Sequence, residues 1–242
     1  IQALFFKLCY WVADSCIIVS QSDLKNIFKV SSLKKKLSYS EHVINTKLFI
    51  ADVPKEKIFT SIVWMGDEGN VVRKGVDKAL QIFAELKKIP EFVDYRFVII
   101  GRKGEGEVLV RSIIDKYNLK GSVELKGEVS EEDKINLLKQ SKYYFQLSLY
   151  EGFGLAALEA LCANNIIIHS GKGGLANPIY KEQLLFDIDN DFDSELLKLV
   201  NKLACFTPIT SYDNLLEYYD IQRRKDDFEA IIVNGKSNYK LK

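Results

Sequence analysis

Two carboxylates, Glu151 and Glu159, bracket a glycine turn and the apolar run that follows it, in Leu149-Tyr-Glu-Gly-Phe-Gly-Leu-Ala-Ala-Leu-Glu159. From Gly154 to Ala163 every position except Glu159 is apolar or small. A helix apolar all round is buried, so Glu159 is expected to be a carboxylate inside the protein, which is costly unless paired or hydrogen-bonded. Glu151 falls in the turn, beside glycines that let a ligand approach the backbone closely. The preceding run, Tyr143 to Leu149, reads as a buried strand. Strand, glycine turn and helix N-terminus together form an anion site. A second cluster, Arg73-Lys74-Gly75, stands where a helix is expected to begin. Cations there oppose the helix dipole, and the pair suits a bound phosphate or diphosphate. The bland alternative is two solvated loop cations.

A carboxylate pair can serve glycoside hydrolysis, where two acids flank the scissile bond. Here one acid lies in a turn and the other in a helix core, which suits two contacts along one ligand. A buried carboxylate matches paired sugar hydroxyls because it accepts from both. A competing pattern overlaps the same residues. Gly152-Phe-Gly154-Leu-Ala-Ala157 satisfies the dinucleotide fingerprint G-x-G-x-x-A. That fingerprint needs an acid about twenty residues later, and Ser170 to Gly174 contains none. An NAD-type dinucleotide-binding oxidoreductase is therefore an alternative reading without its ribose partner. The glycines of Gly101 to Gly106 stand in the wrong order for the fingerprint.

The elements that must position these residues follow a regular pattern. Strands are expected at Thr60–Met65, Tyr95–Ile100, Ser122–Leu125, Tyr143–Leu149 and Asn165–His169. Helices are expected at Gly75–Lys88, Glu107–Tyr117, from Ser130, at Gly154–Ala163 and at Asp191–Phe206. Val76, Ala79, Leu80, Phe83, Ala84 and Leu86 make one apolar face, and Ser130-Glu-Glu-Asp opens its helix with a capping box. This alternation predicts an α/β fold, a doubly wound parallel sheet covered on both faces. Such sheets bind ligands beyond the carboxyl ends of their strands, where Gly66, Gly101, Gly127 and Gly152 should gather. Before Ile58, short strands are expected at Asp14–Ser20 and Val43–Thr46, with a helix at Ser22–Val30 between them. Lys34-Lys35-Lys36 reads as a solvated loop. Tyr212 to Ile232 reads as a final helix, and Asn234 to Lys242 as a frayed tail.

The 242 residues are 47% hydrophobic and 28% charged with net charge +1, an ordinary globular composition that gives no case for nucleic acid as partner. Four cysteines lack any CxxC spacing and read as reduced core residues of a cytosolic protein. His42 and His169 belong to no ligand cluster, so no metal is expected. Ile1 to Ala13 reads as the end of a core helix whose beginning is missing, and hence the chain as a fragment.

Tyr150-Glu-Gly-Phe-Gly-Leu155 with Glu159 resembles the E-x7-E signature of retaining glycosyltransferases with the GT-B fold, the large nucleotide-sugar-dependent family. The likeness extends from about Ile58 to Gly174. Gly66 with Arg73-Lys74-Gly75 resembles the family's phosphate-binding segment, and Val98-Ile-Ile-Gly101 its next strand and turn. Val123 to Val129 resembles the segment beside the nucleotide base. The resemblance implies a Rossmann-like donor domain at 58–208. Residues 1–57 would be a remnant of the amino-terminal acceptor domain with its linker, forming a partial second α/β domain. Residues 209–242 would be the helix crossing back onto it, with the tail.

The resemblance also implies roles. Lys74 would neutralise the diphosphate in place of a metal ion, and Glu151 would contact the donor sugar near its anomeric centre. Amides of Gly152, Phe153 and Gly154, with Leu155 beside them, would meet sugar or phosphate. Glu159 would bind the ribose, and Glu128 and Val129 the base. The donor would be a UDP- or GDP-linked hexose, a substrate with no further cofactor. The acceptor would be a glycan or lipid-linked saccharide in polysaccharide biosynthesis, in the cytoplasm or at the inner face of the membrane through the missing amino-terminal domain. Three departures stand against the pattern. Asp67 replaces the arginine that usually follows the glycine at Gly66, Leu175-Ala176-Asn177 lacks the glutamate usual after Gly173-Gly174, and little acceptor domain is present. A non-catalytic nucleotide- or sugar-binding module is the alternative these departures favour.

Overall fold

The computed structural model describes residues 8–20, 36–50, 53–206 and 217–234. The centre is a six-stranded parallel sheet built from β3 (Glu56–Ile62), β4 (Arg96–Ile100), β5 (Val123–Gly127), β6 (Ser141–Gln146), β7 (Ile166–His169) and β8 (Leu184–Leu185). Two short strands before it, β1 (Cys16–Ile18) and β2 (Leu37–Tyr39), pair in parallel as a separate ribbon. The spatial order of the six is β5-β4-β3-β6-β7-β8. Chain order thus runs outward from β3 in one direction, then returns to β6 and runs outward in the other. This is the doubly wound arrangement, and its switch point lies between β3 and β6.

The alternating side chains of buried strands supply both faces. On one face Phe59 stacks on Tyr143 and Phe145, with ring centroids 4.6 and 5.0 Å apart. Against them pack α2 (Val76–Leu86), α3 (Glu107–Lys116) and α6 (Phe192–Cys205), carrying Phe83, Val110 and Leu199 into one core. On the other face Tyr144 and Ile167 meet α4 (Glu131–Gln140) and α5 (Leu155–Cys162) through Leu138, Leu158 and Leu161. Phe49 and Tyr219 join that second core from segments outside the sheet unit. Lys55 ties the same layer down, its ammonium donating to the carbonyls of Lys139 (2.8 Å) and Ala163 (2.6 Å) at the ends of α4 and α5. Burial pulls the Lys55 pKa down to about 8.

Several local expectations are corrected. The first strand of the sheet begins at Glu56 and ends at Ile62, four residues earlier than its hydrophobic run suggests at its start, because the charged Glu56 pairs alongside Ser141 at the sheet's end. The expected loop from Gly66 to Arg73 holds a helix, α1 (Glu68–Arg73), capped by the Asp67 carboxylate accepting from the Asn70 amide at 2.6 Å. Val43–Thr46 is a single parallel bridge, Ile44 to Asp220, followed by a 3-10 turn at Thr46–Leu48. Lys36 is no solvated-loop lysine: its ammonium donates to the carbonyls of Tyr10, Trp11 and Ala13, closing the helical turn at residues 8–12. Cys162 is buried, but Cys9 and Cys205 are exposed rather than core residues. The carboxy-terminal helix is described as α7 (Ile221–Asn234). The expected helix at Ser22–Val30, together with Lys34 and Lys35, lies outside the described residues.

Candidate functional site

The loops leaving β3 and β6 meet above the switch point. Leu149 donates its amide to the Arg73 carbonyl at 2.8 Å, joining the two loops through their backbones. Gly75 takes the left-handed conformation (φ 68°), and a Cβ there would lie 2.0 Å from the Leu147 carbonyl oxygen. The contact therefore requires glycine on both counts. It carries Lys74 to Glu151: Nζ lies 2.5 Å from Oε1, with the two side chains 22% and 12% exposed. Lys74 is not the first residue of a helix, as its position before Val76 suggests. It caps the carboxyl end of α1, where a cation complements the dipole.

The end of β6 holds the carboxylate in place. Tyr144 donates from its hydroxyl to Gln146 Oε1 (3.0 Å). Gln146 Nε2 and Ser148 Oγ each donate to Glu151 Oε1 at 2.8 Å. The bonds from Gln146 and Ser148 and the Lys74 contact all fall on Glu151 Oε1, so Oε2 is left without a protein partner among the described residues. Behind the turn, Gly173 (φ 60°) presses so close that a Cβ would lie 2.2 Å from the Glu151 carbonyl oxygen, and the Gly174 amide donates to that oxygen at 2.7 Å.

A cavity of about 300 Å³ opens here, lined by Lys74, Glu151, Phe153, Gly154, Leu155, Ala156, Gln146, Ile62 and His42. Five residues singled out from the sequence thus converge on it: Lys74, Glu151, Phe153, Gly154 and Leu155. The others stand apart. Gly152 is exposed at the turn's tip. Arg73 turns away to donate to Asn70 Oδ1 (2.6 Å), so the expected double cation is not formed. Gly66 lies under the indole of Trp64. Glu128 is exposed, and Val129 packs beside the cluster of Ile58, Val98 and Ile100 rather than in the cavity.

Glu159 lies one turn along α5 from Leu155 and Ala156 and shares their face. It is half-buried rather than enclosed, and Lys134 of α4 pairs with it at 2.9 Å. Burial raises its pKa, more than the pairing with Lys134 lowers it. Lys134 loses by burial and gains more from Glu131 and Glu159, so its pKa is raised.

Two of the departures have physical explanations. Asp67 is the N-cap of α1, a task an arginine cannot perform. Asn177 donates from Nδ2 to Glu41 Oε1 at 3.0 Å, so a carboxylate does stand beside that loop, supplied from a distant segment. The rival dinucleotide fingerprint finds no acid at the end of β7, where Lys172 is engaged by Asp187 and Asp189 (3.3 and 2.5 Å). Gln146, Ser148 and His42 were missed from the sequence. The first two carry a readable signal, since with Tyr144 they alternate along one face of a strand that ends at the turn. His42 carries none.

The doubly wound sheet, with a cation and a carboxylate joined above its switch point, has the GT-B type of fold found in the solved glycosyltransferases that it resembles. The chain belongs to the glycosyl transferases group 1 family, whose model matches residues 69–204. It is 32% identical over 163 residues to the GDP-mannose:cellobiosyl-diphosphopolyprenol alpha-mannosyltransferase of Xanthomonas oryzae, a match covering 59% of this chain and 40% of that protein. It is 30% identical over 105 residues to a phosphatidylinositol N-acetylglucosaminyltransferase component of Homo sapiens, covering 43% of this chain and 21% of the relative. These matches span less than half of either relative's length. In fold the chain is similar to WaaG, a glycosyltransferase involved in lipopolysaccharide biosynthesis, with a TM-score of 0.68 at 15% identity, covering 90% of this chain and 62% of that one. No described helix is long and apolar enough to cross a membrane.

Proposed function

We propose that this chain holds the donor site of a retaining glycosyltransferase that moves a hexose from a UDP- or GDP-linked donor to a glycan or lipid-linked acceptor. The observation that carries the reading is the Lys74–Glu151 contact, 2.5 Å long, at the mouth of a cavity above the switch point. Departure of a nucleoside diphosphate develops negative charge on the diphosphate, and a preorganised cation there lowers the barrier. Lys74 supplies that charge in place of a metal ion. Glu151, fixed through Oε1 and open at Oε2, contacts the sugar near the reacting carbon. The amides of the Gly152–Gly154 turn meet sugar hydroxyls or phosphate, and Glu159 takes the ribose hydroxyls one helical turn further along; Glu128 and Val129, which stand outside this cavity, would meet the base beyond it.

The names of the two curated relatives support a lipid-linked acceptor, one containing a diphosphopolyprenol and the other phosphatidylinositol. The first also favours a GDP-linked donor. Titration of the chain with GDP, UDP and NAD, followed calorimetrically, tests the reading. Binding of a nucleoside diphosphate and not of NAD is expected. Tight NAD binding without diphosphate binding overturns it.

A further inference from the structure

His42 comes from a segment remote in sequence from the glycine turn, yet it lines the same cavity as Lys74 and Glu151. Its ring stands edge-on to Phe153, with centroids 5.4 Å apart at 78°. The ring nitrogens have no hydrogen-bond partner among the described residues. We infer that His42 is a further specificity-determining side chain of the donor cavity, which reads a hydroxyl of the transferred sugar. The inference rests on the nucleotide-sugar reading above and deepens it.

The position is built rather than incidental. The neighbouring Glu41 is 1% exposed, and its Oε1 accepts from Tyr39 Oη (2.5 Å) and Asn177 Nδ2 (3.0 Å). Arg224 of α7 donates to the Glu41 carbonyl at 2.6 Å and to Ser40 Oγ at 3.0 Å. On the other side of His42, the Ile44 amide donates to the Tyr219 carbonyl at 3.0 Å. The backbone is therefore pinned on both sides of the imidazole, and the ordering entropy is spent in folding rather than on binding. Through Asn177 the same network reaches the Gly173–Gly174 loop that braces the Glu151 turn.

The chemistry of the ring selects the ligand group. Burial, and then the charge of Arg224, lowers the His42 pKa, so at neutral pH the imidazole is uncharged, with one nitrogen donating and the other accepting. That matches a hydroxyl, which also donates and accepts. It adds no charge for the diphosphate, which falls to Lys74.

Calorimetric titration of the chain with GDP, UDP, GDP-mannose and UDP-glucose tests the assignment. His42→Ala and His42→Leu should leave nucleoside diphosphate affinity within about twofold and weaken the nucleotide sugar roughly three- to tenfold, the effect of one net hydrogen bond. His42→Gln, which keeps a donor and an acceptor, should recover part of the loss. Equal losses on both ligands, or no loss on the nucleotide sugar, overturn the role of His42 and leave the function reading standing. Failure of the unaltered chain to bind either nucleoside diphosphate overturns that reading and this inference with it.

Discussion

Replacing Lys74 by methionine removes the ammonium and keeps most of the stem, so it isolates the charge. Nζ lies 2.5 Å from Glu151 Oε1, with both side chains largely shielded. Exposed pairs contribute about 0–1 kcal/mol, and breaking a buried pair costs about 3–5 kcal/mol. This pair lies between those limits. Glu151 Oε1 also keeps its bonds from Gln146 and Ser148, so the expected loss of stability is about 1–2 kcal/mol and the fold persists. The loss of binding is larger. A hydrogen bond to a charged group contributes about 1.5–3 kcal/mol, which is roughly 10- to 150-fold in affinity. The upper part of that range applies, because the substitution also leaves the Glu151 carboxylate uncompensated beside an incoming diphosphate. Calorimetry with GDP and UDP on the wild type, Lys74→Met and Lys74→Met/Glu151→Gln measures each step. The double variant should bind more tightly than Lys74→Met, since the lone carboxylate no longer repels the ligand. Added salt should weaken the wild type more than Lys74→Met. Diphosphate affinity unchanged in Lys74→Met would remove Lys74 from the site and refute the reasoning.

Three further outcomes are expected. Glu159→Gln should weaken nucleoside diphosphate binding several-fold more than binding of inorganic diphosphate; equal losses would make the residue purely structural, a partner of Lys134 only. Gly75→Ala should destabilise the fold by at least about 1–3 kcal/mol, the cost of a strained backbone, with steric conflict against the Leu147 carbonyl added to it; urea melting unchanged from wild type would contradict the loop contact. Lys55 has a folded pKa of about 8, below its unfolded value, so the unfolded chain binds more protons between those values and this group's contribution rises with pH there. The stability of the wild type minus that of Lys55→Met should therefore grow by about 2 kcal/mol between pH 7.5 and 9.5; parallel urea midpoints across that range would show that the ammonium is not buried.

The sheet was legible because buried parallel strands read as apolar runs and their helices as amphipathic ones. Asp191 and Ser130 were visible as helix starts because capping is local chemistry, and both accept from the amide three residues on. Asp67 was just as local a cap, accepting from Asn70. Even so, the linear pattern shows only the arginine charge missing at Asp67, because the helix it begins is a mere six residues long. Lys74 illustrates the opposite error. Its place before an amphipathic helix suggested an N-terminal cation, whereas α1 ends there and turns the same residue into a C-cap.

The local sequence by itself determined that strands and helices alternate and that glycine turns follow strand ends, and it singled out Arg73, Lys74, Glu128, Glu151 and Glu159 as charged candidates. Periodicity, caps and turns depend on neighbours a few residues away, so they survive in a linear reading. Which of those groups meet was decided only by the strand order. Because β6 lies beside β3, the loops after both strands share one edge, and Lys74 reaches Glu151 while Arg73 and Glu128 do not enter the cavity. Tertiary packing alone also brought Glu41 to Asn177 and His42 to Phe153. Such contacts join residues far apart in the chain. They arise from the folding of one segment onto another, and no pattern in either segment alone records them.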